Sequence, residues 1–116
     1  MKPQPTLDIL PSLLFAFDVD SDQNIEAEEQ IASTDINNEL ELTKLFDAFI
    51  MPDFTSRIAS EQQWYIDSLT FYLENNESFN RIFSDMTTYF PALPSNKRNL
   101  MKTLLNCLKK YQTINK

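Results

Sequence analysis

The 116-residue chain contains no glycine. Two-residue hairpins, β-bulges and left-handed turns most often need glycine, because without a Cβ it enters the positive-φ region at no steric cost. A fold built from many short strands and tight turns is therefore disfavoured. Six prolines, at positions 3, 5, 11, 52, 91 and 94, leave long stretches free of both helix breakers. The expected fold class is all-α, a compact bundle of about five to six helices. Apolar residues make up 42 % of the chain, with nine Phe, four Tyr and one Trp, which is too hydrophobic for a disordered segment even with seventeen acids. The length suits one core, so residues 1–116 are expected to form a single domain.

The apolar spacing places the helices. Residues 1–5 read as an extended tail, and residues 6–17 carry apolar side chains around Pro11, a residue tolerated in a helix's first turn. A short helix is expected over residues 26–33. Asn38 with Glu41 fits a capping pair ahead of Leu42, Leu45, Phe46, Phe49 and Ile50, which predicts a helix up to Pro52. Ser60 with Gln63 suggests the same start for a helix running to a polar stop at Asn75 and Asn76. Phe79, Ile82, Phe83, Met86 and Phe90 form the next stripe. Ser95 is the expected cap of a final helix reaching about Tyr111, with Leu100, Met101, Leu104, Leu105, Leu108 and Tyr111 on one face and only basic charges elsewhere.

One segment carries a chemical pattern. Residues 18–29 read Asp-Val-Asp-Ser-Asp-Gln-Asn-Ile-Glu-Ala-Glu-Glu, with oxygen-bearing side chains at positions one, three, five, nine and twelve and Ile25 at position eight. This resembles the twelve-residue loop of the EF-hand family, the helix-loop-helix proteins that include calmodulin, and apolar flanks extend the likeness on both sides. Calcium takes about six to eight oxygens, which alternate side chains of a tight loop can aim at one point. The resemblance implies a calcium site in which Asp18, Asp20 and Asp22 give carboxylate oxygens, Asn24 its main-chain carbonyl, Glu26 a contact through water and Glu29 a bidentate carboxylate. Position six, where the family has glycine, is Gln23, and a non-glycine residue there costs roughly 1 kcal/mol and weakens the expected affinity.

EF-hands come in pairs, and the resemblance extends to a degenerate second loop over residues 51–62. Met51 stands first there, Asp53 third, Thr55 fifth, Ile58 eighth and Gln62 twelfth, and Ile58 is expected to pair with Ile25. On this reading residues 11–74 form an EF-hand-like pair and residues 75–116 supply two further helices. The competing reading of residues 18–29 is an acidic linker between helices.

Charge and composition narrow the function classes. Residues 1–50 hold eleven acids and two lysines, and residues 51–116 hold six acids and eight bases, for a net charge of −7. Such a field repels a nucleic-acid backbone and favours cations or a basic protein surface. With no histidine, nucleophilic systems built on a histidine base are excluded. Without glycine, phosphate loops are too. The single cysteine, Cys107, cannot form an internal disulfide, and the first residues lack a signal-peptide pattern, so a cytoplasmic location is expected. No apolar run approaches the ~20 residues that span a bilayer. The sequence therefore predicts a non-catalytic protein that binds a partner with a basic surface. One form is an EF-hand-like calcium-binding domain. The other is a small acidic inhibitor of the immunity-protein or antitoxin type that neutralises a basic bacterial toxin or nuclease.

Overall fold

The apolar stripe on the last helix organises the molecule. In the structure, a computed structural model that describes residues 4–18, 24–84, 88, 90 and 95–114, helix α7 (Lys97–Ile114) buries Leu100, Met101, Leu104, Leu105, Leu108 and Tyr111 along one side. These positions recur at helical spacing, so one face closes onto the rest of the chain and the lysines keep to the other. Against α7 pack α3 (Glu39–Phe49), α4 (Met51–Thr55) and α5 (Ala59–Glu74). Helices α1 (Leu10–Leu14), α2 (Ile25–Ala32) and α6 (Asn80–Ser84) complete seven α-helices among the described residues, with 3-10 turns at Leu7–Ile9 and Phe15–Phe17 on either side of α1. Among the described residues the β-type contact is a lone antiparallel bridge between Asp18 and Thr88.

The all-α expectation holds, and one continuous core draws on residues from Leu10 to Tyr111. The radius of gyration, 13.6 Å, matches the ~13 Å that size scaling gives for a compact domain of this length. Phe17 is fully buried and meets Phe46, Phe49 and Phe90 at ring-centroid distances of 6.0, 5.9 and 5.3 Å. The 3-10 turn that carries Phe17 is thereby tied to α3. The tail before α1 is held by Thr6 N donating to Ser68 Oγ and by Trp64 Nε1 donating to the Gln4 carbonyl, so ordered helix begins at Leu7, earlier than the proline alone suggests.

Several helix starts follow the sequence and two do not. Asn38 caps α3 by accepting from Glu41 N at 3.1 Å; the Glu41 carboxylate accepts from Asp35 N instead of returning to Asn38. Helix α5 starts at Ala59 with no side-chain cap, placing Ser60 inside its first turn. Helix α7 is capped by Asn96, whose Oδ1 accepts from Asn99 N at 3.0 Å, and not by Ser95. Ser95 is drawn away because both its N–H and its hydroxyl donate to Asn37 Oδ1.

Most of the expected second loop is helical. Residues 51–55 form α4, with Pro52 in its first turn and Phe54 fully buried. Proline there pre-sets a helical φ, and the apolar anchor closes the turn onto the core. Gln62, expected at the last ligand position, is buried and donates through Nε2 to the carbonyls of Phe54 and Arg57 at 3.0 and 2.9 Å, which fastens α4 to α5. Asp53 pairs with Arg57 at 3.1 Å. The expected Ile25–Ile58 pairing is absent: the two side chains are 72 % and 67 % exposed, and no bridge joins them among the described residues.

Candidate functional site

The six residues of the expected cation loop divide into two sets. Asp20 and Asp22, with Gln23 between Asp22 and Asn24, lie outside the described residues. Asp18 is half-buried, and its N–H donates to the Phe15 carbonyl at 3.0 Å, closing the 3-10 turn. Asn24 is the N-cap of α2: its Oδ1 accepts from Ala27 N at 2.7 Å and its carbonyl accepts from Glu28 N at 3.0 Å. Helix α2 thus starts at loop position eight, and the carbonyl expected to face a cation is the first acceptor of a helix. Glu26 and Glu29 are exposed on α2. Among the described residues no three acidic or thiol side chains are grouped so that they could hold a metal ion.

What these residues do share is a run of chain dense in negative charge. From residue 3 to residue 43 the chain carries ten acids and no base. Helix α2, the turn after it and the first turn of α3 present Glu26, Glu29, Asp35 and Glu41 to solvent, and among the described residues no ion pair engages these four. The Asp35 N–H bonded to Glu41 Oε1 holds two of the acids side by side. Two large apolar side chains stand among them. Ile25 is 72 % exposed beside Glu26, and Leu40 is 67 % exposed between Glu39 and Glu41. In α2 Ile31 is fully buried and Ala27 and Glu28 are half-buried, while Ile25, Glu26 and Glu29 are exposed.

No known protein family, curated protein or solved structure matches the chain. The site must therefore be read from its own chemistry.

A second feature escaped the sequence reading. Between the turn at residues 36–39 and the N-terminal half of α7 lies an open cleft of about 450 Å³. Ile36, Leu42 and Leu100, themselves buried, are among the residues that line it. Four asparagines, Asn37, Asn96, Asn99 and Asn106, line its walls, with Glu39 on the α3 side and Lys102 on the α7 side. The signal was present as asparagines at positions 96, 99 and 106, whose spacing of three and seven puts them along one face of a helix. Only Asn37, contributed by a turn sixty residues away, needed the tertiary structure.

The remaining reactive group is closed off. Burial pushes the Cys107 thiol above its ordinary range, which outweighs the hydrogen bond to Tyr111 and the nearby Lys110 charge. Burial also raises the Tyr111 phenol, and its hydroxyl donates to Asp47 Oδ1, which Lys110 approaches at 3.3 Å. This cluster pins α7 to α3 and offers no nucleophile.

Proposed function

We propose that this protein is a non-catalytic binding domain that captures a partner with a basic surface through the ridge formed by α2, the following turn and the start of α3. The observation that carries this reading is the placing of Ile25 and Leu40, both largely exposed, among acids that no ion pair engages within the described residues. Exposed apolar side chains supply contact area that gains from being buried, and the surrounding like charge steers a basic partner and rejects acidic ones. The class it suits is a small acidic inhibitor of the immunity or antitoxin type, covering the cationic surface of a toxin or nuclease.

The test uses the intact chain as bait in lysate of its source, beside a bait carrying Glu26→Lys, Glu29→Lys and Glu41→Lys and a third carrying Leu40→Asp. A basic protein held by the wild type, released by rising salt and lost from both variants is the expected result. Equal retention on all three baits, or no stable partner, sinks the reading. The salt dependence is informative because screening lengths fall from about 30 Å at 0.01 M to about 8 Å at physiological ionic strength.

A calcium loop over residues 18–29 is the second reading, favoured by the alternation of Asp18, Asp20 and Asp22. Calorimetry with calcium on the wild type, Asp18→Ala and Glu29→Ala tests it. Heat and a rise in melting temperature at millimolar calcium, lost in both variants, support the loop; no heat and no shift in the wild type rules it out.

A further inference from the structure

We propose that the asparagine-lined cleft between α3 and α7 receives an extended polypeptide segment bearing a basic residue, held by its main chain across Asn99 and Asn106 and by its base on Glu39. This rests on the reading of the chain as a protein-binding domain and names the part of the partner that enters it. The shape fits first: the cleft is open, so a continuous chain can lie along it. The chemistry fits next. A carboxamide offers two N–H donors and one C=O acceptor, which complements the donor and acceptor of a peptide unit. Asn99 and Asn106 are exposed and lie seven residues apart on α7. At 1.5 Å rise per residue this is about 10 Å, the length of about three residues of extended chain.

The same lining disfavours other ligands. Among the described residues no aromatic ring lines the cleft, so they offer no stacking platform of the kind on which single-stranded nucleic acids rely. Glu39 and the net charge of −7 oppose a phosphate backbone.

A display library of random twelve-residue peptides, selected on the wild-type protein, supplies the probes, and fluorescence polarisation of individual labelled peptides gives affinities. The expected peptides bind in the micromolar range and carry a lysine or arginine. Asn99→Ala with Asn106→Ala weakens them at least tenfold, and so does N-methylation of a central peptide amide. Glu39→Gln weakens them several-fold, but not their analogues with the base replaced by alanine. Both asparagines are exposed, so the double variant should keep its melting temperature; if it does not, Asn99→Ser with Asn106→Ser removes the carboxamides without adding charge. The proposal is overturned if no peptide is enriched, if enriched peptides bind the asparagine variants as tightly as the wild type, or if N-methylation has no effect. The asparagine variants alter no charge on the ridge, whereas Glu39 flanks Leu40 there, so the asparagine variants alone separate the two readings. Lost peptide binding with partner capture intact therefore defeats the cleft alone, and lost capture with peptide binding intact defeats the ridge alone.

Discussion

Tyr111 shows how one side chain couples burial, charge and position. Its ring is fully buried against Phe54, at 6.3 Å between centroids, and its hydroxyl donates to Asp47, so α7 is fixed to α3 and α4 together. Burial and the Asp47 bond both hold the phenolic proton in the folded state, so its pKa lies above that of the unfolded chain. The resulting stability is fully present below the unfolded value of about 10 and declines as pH rises beyond it, by up to about 1.4 kcal/mol per pH unit. Urea unfolding should therefore show a steep loss above pH 10 in the wild type and a shallower loss in Tyr111→Phe, with that variant about 1–3 kcal/mol less stable at pH 7 because a hydrogen bond to a charged group is gone. Parallel pH profiles for the two proteins would remove Tyr111 as the source. The same scale holds the cost of having no glycine: Asn76 and Phe79 adopt φ of 62° and 63°. Asparagine tolerates this region and ends α5 there. Phe79 does not favour it, and its full burial, with Phe79 N bonded to Glu77 Oε2 at 3.0 Å, keeps it in place.

Helix ends decide how the elements meet. At the end of α5 the Phe71 and Tyr72 carbonyls accept from the N–H groups of Asn75 and Glu77, while Arg98 of α7 donates to the Leu73 carbonyl at 2.6 Å and to the Glu77 carbonyl beyond the helix at 2.7 Å, locking the corner that leads into α6. At the start of α7 the sequence offers two adjacent caps, Ser95 and Asn96, and the structure chooses Asn96 because Asn37 engages Ser95. Asn96→Ala should cost about 1 kcal/mol, in the range of ordinary N-cap losses, whereas Ser95→Ala should cost under about 0.5 kcal/mol. Chemical denaturation of the two variants compares them directly, and a larger loss for Ser95→Ala would reverse the assignment. The capping pair at Asn38 was legible in the sequence because it is local; the choice at Ser95 was not, since it depends on a side chain fifty-eight residues away.

At the level of the whole molecule, stability and recognition are kept apart. The core runs through α3, α4, α5 and α7, while the acidic ridge rides on α2, whose one fully buried side chain is Ile31. Few buried contacts imply opening at low free energy, so amide exchange in α2 should be faster than in α7 by several orders of magnitude, with α7 exchanging only by global unfolding. Protection of α2 equal to that of α7 would contradict the separation. A weakly anchored, charged helix can adjust to a partner while the rest of the fold is unchanged. The net charge of −7 works in the same direction, raising encounter rates with a basic partner at low salt.

The sequence by itself determined the helical class, through the missing glycines and the 3.6-residue spacing of apolar side chains. It also determined most helix positions and the concentration of acid in the first half. These are properties of local chain geometry and composition, and each can be read without knowing what lies opposite. Only the tertiary structure decided that residues 51–55 coil as α4, because burial of Phe54 and the clamp from Gln62 outweigh the loop-like look of Met-Pro-Asp. Only it left Ile25 in solvent and brought Asn37 to Asn99 and Asn106 across a cleft. An exposed face and a cleft are relations between distant segments, set by how the apolar faces close on one another, and no local pattern encodes them.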